Sequence, residues 1–297
     1  MVGLLARTLS TDVREEVIHR FAEPPKLSLF EEDKYGVLRH ARVSRVRRLS
    51  RRYLLAELEL LEQFEDPPGP AQFVMIWLPG IDYIPMSIAN SDEGRIHIFF
   101  SVRGEGTRAL ANSKGKMVGV VGPLGKPLAV SARSKYVLIA GGTGLAPIIK
   151  LARGLSDMGL LAAVIWGTRA REDVGEVPFY FKEVTGCNLT ICTEDCSVGF
   201  CGRAADLAEE VLPDLENTQV VAAGPNDMLI TVADLSMRVG IDPVLILESM
   251  VECGLGVCGR CVLGSTGLRL CRDGPAFRAS EVMDYLVDVA LRRGQKH

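Results

Sequence analysis

Four kinds of signal are missing from this 297-residue chain. No apolar run reaches the ~18 residues that cross a bilayer as a helix, so no membrane partner is expected. The opening Met1-Val-Gly-Leu-Leu-Ala-Arg7 is apolar with no basic stretch ahead of it. That is unlike a secretory leader, and a cytoplasmic location is the expectation. There is no excess of positive charge: the net charge of −3 removes the electrostatic ground for a nucleic-acid partner. The four histidines, His19, His40, His97 and His297, show no metal-ligand spacing, and His97 reads as one residue of an alternating strand. What remains is 47% hydrophobic and 24% charged, the composition of a soluble globular protein with room for two domains and a small appendage.

Cysteine breaks this plain picture, with eight in the chain. In a cytosolic chain that number favours metal ligation over a disulfide framework. Four of them, Cys253, Cys258, Cys261 and Cys271, stand as C-x4-C-x2-C-x9-C. The first three have the spacing of the plant-type [2Fe-2S] loop, which a more distant fourth cysteine completes. Four thiolates around two irons need a tightly curled backbone, and Gly254, Gly256 and Gly259 supply its open dihedrals. Zinc is the competing reading, although structural zinc prefers two C-x2-4-C pairs and Cys261 and Cys271 are too far apart for the second. Buried or disulfide-bonded thiols are the third. The other four, Cys187, Cys192, Cys196 and Cys201, follow C-x4-C-x3-C-x4-C. Cys187 and Cys192 flank a predicted strand and are expected on opposite faces. Isolated thiols are expected at all four, with a loop disulfide between Cys196 and Cys201, or a second metal site, as alternatives.

In chain order, residues 1–35 read as an extension with one amphipathic helix over 12–21. Residues 36–132 carry five or six short β-rich runs (39–49, 53–61, 71–78, 95–102 and 117–121) separated by turn residues, which suggests an antiparallel barrel. Three phrases interrupt it: Ile84-Pro85-Met86-Ser87-Ile88, Arg103-Gly104-Glu105-Gly106-Thr107 and Gly122-Pro123-Leu124-Gly125. The Gly106-Thr107 step opens a helix and is a plausible anion site. Over 133–243 the texture becomes alternating strand and helix, the pattern of a doubly wound parallel sheet. Its first strand, 136–140, runs into Gly141-Gly142-Thr143-Gly144-Leu145-Ala146-Pro147 and a helix, a nucleotide-binding βα opening whose glycines allow a pyrophosphate close to the backbone. The turns at Gly167-Thr168-Arg169 and Gly224-Pro225-Asn226 also follow strand ends, where such sheets bind ligands. Residues 244–279 form the cysteine-rich segment, and 280–297 a terminal helix with Ser280 as its cap and Val282, Tyr285, Leu286 and Val289 on one face.

The order barrel, nucleotide domain, [2Fe-2S] segment resembles the flavin-binding ferredoxin-NAD(P) reductase superfamily. Pro85-Met86-Ser87-Ile88, Gly141 to Pro147 and Ala223-Gly-Pro-Asn-Asp-Met228 carry the likeness. With Cys253 to Pro275 added, the chain is similar to the electron-transfer subunit family of dihydroorotate dehydrogenase B in its archaeal form. The resemblance implies FAD in the barrel, with Pro85, Met86, Ser87 and Ile88 near the flavin and Gly106 and Thr107 on its pyrophosphate. It implies NAD in the second domain through Gly141, Gly142, Thr143, Gly144, Ala146, Pro147, Thr168, Gly224 and Pro225, and four cysteine ligands on the cluster. The implied partner is an FMN-containing catalytic subunit that oxidises dihydroorotate, in a hetero-oligomer of pyrimidine biosynthesis. Three departures stand out. Ile84 occupies the place of an arginine that pairs with the flavin pyrophosphate, leaving Arg103 or Lys126 to supply that charge. The spacer from Cys261 to Cys271 is short, and Ala223 replaces a cysteine near the nicotinamide.

A flavin between an iron–sulfur cluster and NAD fits the electron count, since it exchanges one electron or two. No side chain need act as acid or base in that division of labour, so no catalytic residue is expected. Two other readings compete. The gamma subunit of cytosolic sulfhydrogenases, like subunits of sulfide dehydrogenases, is similar in domain order. A redox-sensing regulator is the other, against which the intact nucleotide loop argues. Arg169 and Arg171 follow the second strand and bear on NAD against NADP.

Overall fold

The computed structural model describes residues 37–212 and 218–294. The extension at 1–35 and its predicted helix lie outside the described residues. The first lobe is one antiparallel sheet in the order β4-β3-β7-β1-β2-β6-β5. Its strands are β1 (Leu38–Arg48), β2 (Tyr53–Leu60), β3 (Phe73–Leu78), β4 (Asp82–Ser87), β5 (Asn90–Asp92), β6 (Arg95–Ser101) and β7 (Met117–Leu124), with helix α1 (Glu105–Ala111) between β6 and β7. The sheet curls until β4 approaches β6. Seven strands form where five or six were expected. The phrase around Pro85 is a strand rather than an interruption, and part of the expected turn at 90–94 is β5. Proline hides β4 from pattern reading. It is tolerated because β4 is an edge strand, where a missing N–H costs no ladder bond.

The second sheet has the order β11-β10-β9-β8-β12-β13-β14, parallel throughout except for the last pair. It comprises β8 (Lys135–Gly141), β9 (Leu161–Thr168), β10 (Thr190–Thr193), β11 (Phe200–Cys201), β12 (Thr218–Ala223), β13 (Val244–Ile246) and β14 (Ala276–Arg278). Helices α2 (Leu145–Asp157), α3 (Arg171–Val174), α4 (Val177–Thr185), α5 (Ala204–Val211), α6 (Asn226–Arg238), α7 (Leu270–Asp273) and α8 (Ala279–Gly294) complete the chain. β13 and β14, the two ends of the cysteine-rich segment, are therefore strands of this sheet. The Leu247 N–H donates to the Pro275 carbonyl at 2.9 Å, so 248–274 leaves the sheet edge through a closed neck.

Alternation distributes side chains among three cores. In β2, Leu54, Ala56 and Leu58 fill the interior of the curled sheet. Tyr53 and Leu55 face the other way and pack with Leu145, Trp166 and Phe181 of the second lobe. In β3, Val74 and Ile76 point inward, while Phe73 and Met75 join Cys261, Leu263, Leu270 and Cys271 of the cysteine segment. These strands read as continuous apolar runs because they are covered on both faces. His97, on β6, meets the Tyr180 hydroxyl of α4 at 3.0 Å, a contact between lobes.

Helix α8 buries Val282 and Leu286, the face its sequence marked. Its cap differs from expectation. The helix begins at Ala279, and Ser280 lies inside the first turn, its N–H and hydroxyl both donating to Asp242 at 3.1 and 2.7 Å. A carboxylate from the distant loop between α6 and β13 thus satisfies donors that a local cap would otherwise take.

Candidate functional site

In the second sheet β9 and β12 lie on opposite sides of β8. The chain reverses direction there, and a crevice opens beyond the carboxyl ends of β8 and β12. Gly142 holds φ +56°, and a Cβ there would meet nothing closer than the Tyr53 hydroxyl at 3.5 Å. Its backbone is open to a ligand. Gly141 has another task. A Cβ on it would press on Met228 Sδ at 2.7 Å and Pro225 Cδ at 2.8 Å. A Cβ on Gly144 would overlap the Ala223 carbonyl. The missing side chains at these two positions let the β8 and β12 turns pack against each other, so close approach to a phosphate falls mainly to Gly142.

Two cavities adjoin this crevice. The one of about 390 Å³ is lined by Gly141, Gly142, Thr143, Thr168, Gly224 and Pro225, with Arg103 among its charged groups. The one of about 230 Å³ is lined by Pro85, Met86, Ser87, Arg103 and Thr107 of the first lobe, and by Thr143, Gly144, Ala146, Pro147 and Ala223 of the second. Residues 246–249, Val251, Leu270 and Pro275 close it from the cysteine segment. Its walls combine Phe73, Phe99 and Met86 with hydroxyls and one guanidinium. That lining suits a flat, largely apolar ring with polar edges, as in a flavin.

Two expected residues reach neither cavity. Ile88 is 0% exposed and belongs to the interior of the first lobe. Gly106 faces β4, where a Cβ would meet Asp82 Oδ2 and Ile84 Cγ2 at 2.6 Å. The Thr107 hydroxyl accepts from the N–H groups of Arg103 and Gly104 at 2.9 and 3.1 Å, so it braces its own turn. Ile84 packs against the first-lobe core, and Arg103 stands where both cavities meet, donating to Thr143 Oγ1 at 3.1 Å. Lys126 lines neither; its N–H bonds the Gly274 carbonyl. Arg103 is the cation that lines both cavities.

The cysteine segment curls as its glycines require. Gly254 holds φ +73°, and a Cβ there would press on Leu124 and Met75 at 2.8 and 2.9 Å, which fixes the loop against β3 and β7. The thiols fall into two pairs. Cys261 and Cys271 approach to 3.2 Å between sulfurs, and Cys258 hydrogen-bonds Cys253. Among the described residues no three histidine, cysteine or carboxylate side chains converge on one ion position. Two thiol pairs suit two irons better than a single tetrahedral zinc. Backbone N–H groups point at sulfur: Leu255 and Cys258 at Cys253 (3.3 and 3.5 Å), Gly256 at Cys271 (3.1 Å). Burial raises the Cys253 thiol, but the N–H groups of Cys258, Leu255 and Val257 outweigh it and bring it down to about 7. Burial and the bond to Cys261 push Cys271 up to about 12. A thiolate cage with N–H donors aimed at its sulfurs fits a [2Fe-2S] cluster.

The other cysteines behave differently. Cys192 is buried on one face of the second sheet, and Cys187, in the bend that leads into β10, is half-buried on the other. Cys196 and Cys201 form a disulfide, which corrects the expectation of isolated thiols there. The pairing of β10 with β11 sets Thr193 beside Cys201, and Cys196 adopts φ +60° in the turn that brings the two together. Of the two arginines considered for nucleotide choice, Arg169 lines the larger cavity. Arg171 is spent on the Ser197 carbonyl at 2.6 Å.

Sequence reasoning missed Tyr53 and Glu248. Tyr53 stacks on Phe99 at 5.1 Å between ring centroids and meets the Thr168 hydroxyl at 3.2 Å, joining the lobes beside the larger cavity. Only tertiary packing reveals it. Glu248 lines both cavities, and a signal did exist: it is the polar break after the apolar run 244–247, the same strand-end position that singled out Gly141 and Gly224.

Residues 248–283 match the family model described as the iron-sulfur cluster binding domain of dihydroorotate dehydrogenase B. A chain of Methanocaldococcus jannaschii named as a dihydroorotate dehydrogenase B (NAD(+)) electron transfer subunit is 34% identical over 70% of this chain and 78% of its own length. Its namesake in Archaeoglobus fulgidus is 36% identical over 72% and 87%. Among solved structures, one of an NADH-dependent reduced ferredoxin-NADP oxidoreductase superposes with a TM-score of 0.73 at 23% identity, over 84% of this chain and 93% of that one. At that identity the likeness concerns the fold.

Proposed function

The chain belongs to the dihydroorotate dehydrogenase B electron-transfer subunit family, and from that premise we propose that it passes electrons from an FMN-containing dihydroorotate dehydrogenase subunit through a [2Fe-2S] cluster and FAD to NAD+. One observation carries the reading: the smaller cavity is walled by all three parts of the chain at once, the first lobe, the nucleotide loop and the cysteine segment. A flavin bound there would supply the link between one-electron exchange with the cluster and hydride exchange with NAD.

The chain's own residues supply placement. Pro85, Met86 and Phe99 hold the ring, Arg103 holds negative charge at the meeting of the cavities, and Gly142 and Thr168 receive the dinucleotide. Cys253, Cys258, Cys261 and Cys271 hold the cluster. On the outer side of that loop Val257, Met250 and Leu255 are 79%, 61% and 43% exposed. An apolar rim around an electron carrier is the surface a partner subunit covers, and the FMN subunit is the proposed occupant. Among the described residues no helix is long and apolar enough to cross a membrane, and we place the hetero-oligomer in the cytoplasm, at the orotate-forming step of pyrimidine biosynthesis.

Anaerobic purification tests this directly. FAD released by acid, with about two irons and two sulfides per chain, and reduction of the bound flavin by NADH are the expected results. Colourless protein with tightly bound zinc would overturn the cluster assignment. Failure to co-purify with an FMN subunit when the two are co-expressed would overturn the partner.

A further inference from the structure

A third cleft, of about 620 Å³, opens beside the nucleotide cavity. Arginines line it from both lobes: Arg48, Arg51 and Arg52 at the β1–β2 turn, and Arg169 after β9. The carboxylates in its wall are Glu172 and Asp173. Arg52 is paired with Asp173 at 3.8 Å. Among the described residues Arg48, Arg51 and Arg169 pair with no carboxylate, and Arg48 Nη1 donates instead to the Arg51 carbonyl at 3.0 Å. The cleft is therefore positive in a chain whose net charge is −3. The turn that carries these side chains is well braced. The Arg51 N–H donates to the Glu172 carbonyl at 3.0 Å, and the Ser50 hydroxyl accepts from the Tyr53 N–H at 3.0 Å. Like charges held this close repel one another, and an anion between them removes that cost. The planar fork of a guanidinium matches phosphate oxygens in particular.

We propose that this cleft is a second anion site, separate from the dinucleotide, for a ligand that carries a di- or triphosphate. Unpaired guanidiniums stand on both walls, so a chain of phosphates meets them better than a single one. The volume is that of a small-molecule site, and Leu54 and Val102 add an apolar strip to its lining. Arg48 and Arg51 line this cleft and not the nucleotide cavity, which sets it apart from a subsite of the dinucleotide. The two sites are nevertheless coupled. Arg52 and Arg169 line both, and Asp173, the partner of Arg52, also accepts from the Thr168 hydroxyl at 3.4 Å. An anion that draws Arg52 and Arg169 outward takes positive charge from the nucleotide cavity, so each ligand weakens the other by the same factor. The anion site itself does not depend on the proposed function; only its effect on NADH does.

The test uses the purified chain with FAD and cluster bound, and tripolyphosphate as the probe. Titration calorimetry without NADH should show saturable binding at physiological ionic strength. Arg48→Gln/Arg51→Gln should weaken it at least about tenfold. Arg42→Gln, at an exposed position of β1 outside the cleft, should not. NADH affinity without the probe should stay within about twofold of wild type in both variants. Saturating tripolyphosphate should weaken NADH binding about threefold and then no further, and the double variant should lose that effect. ATP in magnesium-free buffer separates the sources: tighter binding than tripolyphosphate assigns the site to a nucleotide, equal binding to a free polyphosphate. Absence of saturable binding, or equal losses in Arg42→Gln and the double variant, would reduce the cleft to a diffuse positive surface and overturn the proposal. So would a weakening of NADH that keeps growing with the probe, which puts tripolyphosphate in the dinucleotide cavity. A preference for NADPH over NADH that the double variant abolishes would overturn it too, since these arginines would then serve a 2′-phosphate. Protein that binds tripolyphosphate in the calorimeter but never binds NADH would sink the functional reading and leave this site standing.

Discussion

Cys253, Cys258, Cys261 and Cys271 sit in one glycine-rich excursion between β13 and β14, whereas Cys187, Cys192, Cys196 and Cys201 are spread over a strand, its approach and the turn beyond it. The two quartets begin with the same C-x4-C step. In the second, Cys192 lies in strand β10 and enters the core, while Cys187 precedes the strand and packs on the opposite face of the sheet. In the first, positive φ at Gly254, Gly256 and Gly259 accompanies a curled backbone whose Leu255, Gly256 and Cys258 N–H groups point at the Cys253 and Cys271 sulfurs. Spacing alone therefore does not make a ligand set; the backbone between the cysteines decides.

The largest effect should come from exchanging single ligands across this divide. Cys261→Ser or Cys271→Ser should abolish the visible absorption of the cluster and its iron, because each removes one of two thiols from a pair. Cys187→Ser should leave both unchanged, since Cys187 only meets the Ser156 hydroxyl at 3.1 Å. Iron and sulfide counts on anaerobically purified variants check this. Loss of iron in Cys187→Ser would erase the distinction between the quartets.

A second difference is chemical. In apo protein Cys253 titrates near 7, while burial, helped by Asp206, holds Cys192 at about 11. Only the thiolate reacts, so at neutral pH Cys253 should be alkylated about 10³-fold faster or more. Its rate should fall as pH drops below about 7, where the thiol is protonated, and level off above it, while Cys192 stays unreactive until the protein unfolds. Mass-spectrometric mapping after timed iodoacetamide treatment reads both. Equal rates would mean that the N–H groups do not stabilise the Cys253 thiolate.

These contrasts also show where the chain could be read without its structure. The cluster spacing, the nucleotide turn and the alternation of strand and helix are local patterns, and the fold places them as expected. β4 was lost because proline argues against a strand unless its edge position is known. Ile88 and Gly106 were assigned to the flavin by motif, yet one packs inward and the other supports β4; the direction of a side chain depends on register, which neighbouring strands set. Tyr53 and Glu248 acquire their positions only when the two lobes meet. The Cys196–Cys201 bond depended on the pairing of β10 with β11, a contact that no sequence period reports.

Cys192→Ser offers a smaller, structural test of the same comparison. Cys192 is fully buried among apolar side chains that include Ile165, Ala204 and Ala208. A hydroxyl there loses water without gaining a partner, which costs up to about 3 kcal/mol. The midpoint of urea unfolding should fall accordingly while cluster content is retained. An unchanged midpoint would indicate that the face is less tightly packed than its burial implies.

The Cys196–Cys201 disulfide should matter least to stability. Closing so short a loop, five residues in separation, stabilises by at most ~2 kcal/mol in the chain-entropy view. The turn has other fasteners: the Thr193 hydroxyl donates to the Val198 carbonyl at 2.8 Å and accepts from the Val198 N–H, while Arg171 holds the Ser197 carbonyl. The measurable consequence belongs to the nucleotide cavity, because Glu194 and Arg203, on either side of the bridge, both line it. Reduction by a dithiol, or the Cys196→Ala/Cys201→Ala variant, should weaken NADH binding about two- to fivefold, less than ~1 kcal/mol, and leave iron content intact. Fluorescence titration with NADH in the oxidised and reduced forms measures it. Identical affinities would mean that hydrogen bonds alone hold the turn; loss of iron on reduction would tie the second quartet to the first after all.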